Sequence, residues 1–343
     1  MMEDIGVGLI GYGLAGRVFH APFVQLTPGL QLRAVVSRDT AKVHAGLPGM
    51  KVVPDVAALL AEPDIDLVVI ASPDEYHAEH AIAALSAGKH VVVDKPFATS
   101  LADARRMAAA AQASGTMLTA FQNRRWDADF LTLRRLIAEN RLGRIVHFES
   151  HFDRWRPVPA PVWKEARAGG SWLDLGPHLV DQALCLFGRP EAVTADLAAL
   201  RAGAPAPDWF HVVLHYPEHR AILRSTKLAA DHGLRFAVHG TEGSWIKHGI
   251  DPQEPAILAG AAPGGEDWGV DPTAGLFTDG ADPSRSAPMA NERGDYRLFW
   301  QALSAALHGE GDNPVPAAQA VLVMEVLEAG LASAAQGRTI TLA

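Results

Sequence analysis

Short apolar runs alternate with helical stretches through the first third of the chain. Ile5–Ile10, Gln31–Val36, Lys51–Val53, Asp64–Ser72, Gly88–Val93 and Thr116–Phe121 read as strands. Between them Arg17–Gln25, Val56–Ala61, Ala78–Ala87 and Leu101–Ala113 read as helices. Thr99 or Ser100 can cap the last of these, Asp103 sits in its first turn and Gly115 ends it. Strand–helix alternation of this kind predicts a doubly wound parallel sheet.

The pattern changes after Gln122. A helix is predicted over Asp127–Asn140, with Phe130, Leu133, Leu136 and Ile137 on one side. A strand over Arg144–Phe152, a proline-rich loop as far as Pro161, and a helix capped by Ser171 and running to Phe187 come next. Glu191–Leu200, Trp209–Tyr216, Arg220–Leu228, Leu234–His239 and Ser244–Lys247 read as successive strands. Turn signals separate them at Pro217-Glu218, Asp231-His232-Gly233 and Gly240–Gly243. The prediction is an antiparallel meander covered by helices on one face, with an exposed apolar face suited to a homodimer or homotetramer. Asp251–Glu292, rich in Gly, Pro and Asp, is expected to wrap the surface as a long loop. Asp295–His308 and Pro316–Ala335 read as amphipathic helices, and Thr339–Leu342 as a final strand. The fold class is α/β: a Rossmann dinucleotide-binding domain over residues 1–122 and an α+β domain with a large, mostly antiparallel sheet over 123–343.

Composition changes this picture little. The chain has 343 residues, more than one core usually serves, which supports two domains. A net charge of −9 and the lack of a Lys/Arg run argue against nucleic acid as a partner. Cys185 is the sole cysteine, so no intramolecular disulfide forms, as suits a reducing compartment. The start, Met-Met-Glu-Asp, has no cationic region or cleavable apolar stretch, and no apolar run looks long enough to span a bilayer. The expected setting is cytoplasmic, without a membrane partner.

The first chemical signal is Gly11-Tyr12-Gly13-Leu14-Ala15-Gly16, a G-x-G-x-x-G set between strand and helix. Gly11 makes a tight turn, Gly13 lets backbone approach a pyrophosphate, and Gly16 lets helix and strand pack closely. The N-terminal end of a helix then holds the phosphate charge. A glycine turn of another α/β domain, such as a methyltransferase, has the same spacing. At the tip of the second strand a carboxylate would bond the ribose of NAD, but Ser37 and Arg38 stand there. A hydroxyl with a guanidinium suits a 2′-phosphate, so NADP is preferred over NAD. Asp39 can turn back to the ribose and counts against this. Ser72, Pro73 and His77 follow a strand end facing the cofactor crevice and are read as cofactor contacts; a solvent histidine at a helix start is the alternative for His77. Lys95 lies at the end of another apolar strand, between Asp94 and Pro96, where a charged group sits beside the crevice. Pro96 restricts Lys95 to extended backbone.

In the second domain Asp174 and His178 are four residues apart and share one helical face. A carboxylate beside an imidazole sets the ring's tautomer and raises its basicity. Metal ligation needs a third protein ligand, and no H-x-x-x-H or Cys/His cluster accompanies the pair, so no metal is assigned. A solvated hydrogen-bonded pair is the plain alternative. Asn123, Arg124 and Trp126, in the polar and aromatic tip after the sixth strand, and Arg154, Trp155 and Arg156 are candidate substrate contacts. The latter three fit equally a rim or a subunit contact.

The N-terminal glycine motif, Ser72-Pro-Asp-Glu-Tyr-His77, Ala87-Gly-Lys-His90, Val93-Asp-Lys-Pro96 and the Asp174–His178 pair together resemble the glucose–fructose oxidoreductase / inositol dehydrogenase / rhizopine catabolism family of NAD(P)-dependent oxidoreductases. The resemblance covers essentially the whole chain. It departs at Asp94-Lys95-Pro96, where the family's usual tripeptide is Glu-Lys-Pro. It implies oxidation of a secondary alcohol on a cyclic polyol or sugar, with Lys95, Asp174 and His178 as catalytic residues. The Ser37-Arg38 tip, Asn123–Asp127 and His151–Pro157 look most like the family's NADP-dependent scyllo-inositol dehydrogenase branch. A nicotinamide-responsive regulator without turnover is the other reading; intact Lys95, Asp174 and His178 weigh against it.

Overall fold

A computed structural model describes residues 4–160, 163–166, 169–231 and 233–342. Pro161, the predicted end of the proline-rich loop, and His232, within a predicted turn, lie outside the described residues. The chain forms two compact units. One comprises the chain up to Asn123 with Glu254–Glu266 and Tyr296–Met324; the other comprises Arg124–Gln253, Asp267–Asp295 and the chain from Glu325 onward.

In the first unit six parallel strands form one sheet: β1 Ile5–Ile10, β2 Leu30–Val36, β3 Lys51–Val53, β4 Leu67–Ile70, β5 His90–Val93 and β6 Leu118–Ala120. Their order is β3-β2-β1-β4-β5-β6, so the winding reverses between β1 and β4. Both central strands are buried along nearly their whole length, as strands covered on two faces require. The helices are α1 Ala21–Leu26, α2 Thr40–Gly46, α3 Val56–Leu60, α4 His77–Ser86 and α5 Leu101–Ser114. Side-chain caps start three of them: Asp39 accepts from Lys42 N–H, Asp55 from Ala58 N–H and Ser100 from Asp103 N–H. The predicted helix from Arg17 begins instead as a π-helical turn, Gly16–His20, and Pro22 then stands in the first turn of α1.

The segments that return to this unit do so through specific contacts. Phe299 and Trp300 set their rings 4.9 and 5.8 Å from Phe121. Ser304 donates to Pro28 O at 2.9 Å, and Thr119 donates to Asn313 Oδ1 at 3.0 Å.

The second unit is built on a nine-stranded sheet of β7 Ile145–His151, β8 Ala192–Ala198, β9 Trp209–His215, β10 Arg220–Thr226, β11 Leu234–Gly240, β12 Gly243–His248, β13 Gly275–Asp279, β14 Ser286–Met289 and β15 Ile340–Thr341. The order is β14-β13-β12-β11-β7-β10-β9-β8-β15, and every pairing is antiparallel except β7 with β10. Its helices are α6 Ala128–Ala138 and α7 Gly170–Phe187; α8 Gln253–Leu258, past its first residue, and α9 Arg297–Leu307 fall in the segments that return to the first unit, and α10 Ala317–Gln336 is divided between the units. Alternate residues of β9 and β10, Phe210, Val212, Leu214, Ala221 and Leu223, are buried. Trp172 of α7 packs edge-on to Phe210 at 5.1 Å.

Four further sequence expectations change. Asp251–Glu292 is not one long loop, because it contains the end of the sheet: Leu276 and Phe277 of β13 pair with Ile246 and Trp245 of β12. Ser171 does not cap α7, since it lies within the helix and Gly169, in the left-handed region at φ 76°, precedes it. The half-exposed face of the sheet is not simply apolar, since His147, Glu149, His211, His215 and Arg224 share it with Val213 and Ile222. One helix, Ala317–Gln336, is long and apolar enough by length and composition to cross a membrane, contrary to the reading that no run is. Its Ala320, Val323, Met324, Val326 and Leu327 are buried in the protein, which accounts for that composition.

Candidate functional site

The reversal of strand order between β1 and β4 creates the crevice in which doubly wound sheets bind ligands. Gly11 leaves β1 at φ 96°, and a Cβ there would stand 2.7 Å from Ala71 O at the end of β4. A Cβ on Gly16 would stand 2.1 Å from Gly11 O, so only glycine lets the turn close on itself. A Cβ on Gly13 would meet no protein atom within 4 Å, and Leu14 beside it is exposed. The three glycines thus have separable tasks, and the open side at Gly13 leaves backbone available to a pyrophosphate. Tyr12 is buried, with its hydroxyl against Gly46, and burial pushes its phenol up. Ala15 is half-buried in the same turn.

The tip of β2 bears on cofactor choice. Asp39 Oδ1 accepts Lys42 N–H at 2.9 Å and so caps α2. Ser37 Oγ accepts Asp39 N–H at 3.1 Å. Arg38 is exposed and makes no side-chain hydrogen bond or ion pair with the described residues. The carboxylate that counted against a 2′-phosphate is therefore engaged in the helix, and the guanidinium is available.

At the ends of β4 and β5, Ser72 Oγ lies 3.1 Å from His80 Nδ1, and Pro73 is exposed. His77 is not a solvent residue. Its ring is buried, with Nδ1 2.9 Å from Pro96 O and Nε2 2.9 Å from Ser72 O, which ties the two strand ends together. Asp94 Oδ1 accepts Lys95 N–H at 2.7 Å. Its other oxygen faces His20 Nε2 at 3.5 Å, a neighbour the sequence reading missed. Burial works to raise the Asp94 carboxyl, but the facing His20 ring, with His77 and Lys95 nearby, holds it below the usual carboxylate range. Lys95 itself is half-buried. Asn123, also of this unit, is buried.

In the second unit α7 carries Asp174 and His178 one turn apart, with Pro177 inside the helix. His178 is only 6% exposed, so it is no solvated surface residue. Its ring stands edge-on to Phe152 at 6.2 Å. Phe152 gathers other candidates too: the guanidiniums of Arg124 and Arg154 lie 4.9 and 5.7 Å from its centroid, and that of Arg235 lies 4.4 Å away. Trp126 is half-buried. Asp174 lines a cavity of about 470 Å³ with Arg156, Pro157, Val158, Ala160, Glu165 and Lys227, a size suited to a small molecule. Lys227 and Arg201 both donate to Glu165, at 3.2 and 2.6 Å, and together these groups hold the Glu165 carboxyl low against the effect of burial. Trp155 is half-exposed and bridges through its backbone to Leu228. Among the described residues no group of three or more His, Cys, Asp or Glu is placed to hold a metal.

Arg235, Phe152, Glu165 and Lys227 were not legible as site neighbours, because each meets partners from segments distant in sequence.

Known proteins place this arrangement. Residues 5–122 match the NAD-binding Rossmann fold of the GFO_IDH_MocA oxidoreductase family, and residues 134–342 match that family's C-terminal alpha/beta domain. The chain is 48% identical to the uncharacterized oxidoreductase YdgJ of Escherichia coli over 100% of both chains. It is 35% identical to the scyllo-inositol 2-dehydrogenase (NADP(+)) IolW of Bacillus subtilis, over 99% of this chain and 97% of that protein. An oxidoreductase of Bacillus cereus has a crystal structure that superposes with a TM-score of 0.90 at 30% identity, covering 99% of each chain. The chain belongs to the glucose–fructose oxidoreductase / inositol dehydrogenase / rhizopine catabolism family, as an NAD(P)-dependent dehydrogenase acting on CH–OH groups.

Proposed function

We propose that the protein is an NADP(H)-dependent dehydrogenase that interconverts a secondary alcohol and a ketone on a cyclic polyol or sugar, with scyllo-inositol as the first candidate. The observation that carries the reading is the cavity in which Asp174 stands with Arg156, Glu165 and Lys227 beside Pro157, Val158 and Ala160, a few charged groups on an apolar lining, as a small hydroxylated ring requires. The NADP-dependent inositol enzyme among the relatives and the available Arg38 support it.

The nicotinamide supplies the hydride acceptor when bound. In the oxidation direction His178 takes the hydroxyl proton as the carbon–hydrogen bond gives up its hydride. Asp174 orients the imidazole and stabilises its protonated form. Lys95 donates to the reacting oxygen and stabilises the charge that develops on it. Ser37 and Arg38 would hold the 2′-phosphate, and the Gly11–Gly16 turn would hold the pyrophosphate. The test is NADP⁺ reduction with scyllo-inositol and NADPH oxidation with its ketone. Turnover of either supports the inositol assignment, and failure of both at saturating cofactor removes it.

A further inference from the structure

We infer that His20 is a positioning residue for Lys95, acting through the carboxylate of Asp94; the inference rests on the role proposed above for Lys95. His20 is fully buried at the end of the π-helical turn that follows the glycine motif. π-turns insert an extra residue into a helical path and recur at functional sites. The ring is set between aromatic neighbours, 4.5 Å from Phe121 and 5.8 Å edge-on from Trp300. A buried imidazole in such surroundings needs a polar partner. The one its Nε2 faces is Asp94 Oδ2 at 3.5 Å, at the outer limit of hydrogen-bond reach.

The same carboxylate accepts Lys95 N–H through its other oxygen at 2.7 Å. One rigid planar group thus links the His20 ring to the backbone of the lysine. On the far side of Lys95 the Pro96 carbonyl meets His77 at 2.9 Å. The residues flanking Lys95 are each faced by a buried histidine, so the backbone that carries the lysine is held on both sides. His77 acts on a backbone carbonyl, whereas His20 acts on the carboxylate, and this makes His20 separable by mutation.

The test uses the full chain labelled with ¹⁵N-lysine, the Lys95 amide being assigned with Lys95→Arg. His20→Phe fills the aromatic cage without a ring nitrogen, and His20→Gln keeps an N–H near the position of Nε2. The Lys95 amide resonance should move in His20→Phe and stay close to wild type in His20→Gln. In turnover assays His20→Phe should lose about tenfold to a hundredfold in kcat, the scale of a misplaced catalytic group. KM and NADPH affinity should stay within about twofold, as for an interaction made only in the transition state. His20→Gln should recover most of the loss. The double variant His20→Phe/Asp94→Asn should be no slower than Asp94→Asn alone, as for two residues in one linkage. A Lys95 amide that does not move in His20→Phe, or a His20→Gln protein as impaired as His20→Phe, overturns the inference and leaves His20 a packing residue. If the wild-type chain turns over no substrate, the functional reading fails, and the amide resonance still decides the His20 linkage.

Discussion

Arg235 donates from Nε to Asp129 Oδ2 at 2.9 Å, and neither side chain is exposed at all. The same guanidinium donates to Ser150 Oγ on β7 at 2.6 Å and to Gln182 Oε1 on α7 at 2.7 Å. One cation therefore joins α6, β7 and the helix that carries Asp174 and His178. Removing one partner strands a buried charge, so Asp129→Ala or Arg235→Ala should destabilise the protein by about 3–5 kcal/mol. Urea unfolding checks this; a loss below about 1 kcal/mol, the range of an exposed pair, would contradict it.

A second buried carboxylate sets a pH dependence. Burial and then the charge of Asp129 push Asp251 up to about 6, although it accepts from Ala128 N–H and Gln253 N–H. The unfolded chain releases this proton near pH 4 and the folded chain holds it to about pH 6. Between those values the folded state binds more protons, so this group's contribution to stability falls as pH rises. Asp251→Asn should remove a slope worth about 3 kcal/mol across that window. The check is unfolding free energy of both proteins at intervals from pH 4 to 7; parallel curves would contradict the prediction.

Arg38 should separate the two nicotinamide cofactors. A charge-assisted contact to phosphate is worth about 1.5–3 kcal/mol, so Arg38→Ala should weaken NADPH about tenfold to a hundredfold. NADH, which has no 2′-phosphate, should change little. Fluorescence titration of both cofactors reads this directly, and equal losses would remove Arg38 from the phosphate site. Asp39 is not expected to compensate, because its carboxylate caps α2.

Much of this was legible in local sequence. The glycine turn, the Ser37-Arg38 tip and Lys95 at a strand end depend on residues a few positions apart, and strand–helix alternation fixes where strand ends point. The meander was legible for the same reason, since Phe210, Val212 and Leu214 alternate with half-exposed neighbours. What escaped was long-range. The contact between His20 and Asp94 and the Arg235 network are set by tertiary packing, and no spacing rule announces them. β13 and β14 escaped because these short strands lie within a segment dense in Gly, Pro and Asp. Ser171 failed as a cap because Gly170, at φ 51° and with no room for a Cβ beside Pro207 O, already begins the helix.

His178 is the residue on which the proposed chemistry turns. Its replacement by alanine should lower kcat by about a hundredfold to ten-thousandfold, the usual contribution of a positioned base. NADPH affinity, measured by fluorescence, should remain within about twofold, since the loss belongs to the transition state. Near-normal turnover would return Asp174 and His178 to a structural role.

The most direct measurement is the reduced-nicotinamide absorbance, followed with NADP and NAD in parallel against inositols, pentoses, hexoses and their keto forms. Turnover is expected with NADP and a cyclic polyol or sugar, and slower turnover with NAD. Tight NADPH binding with no turnover of any of these compounds by either cofactor would contradict it.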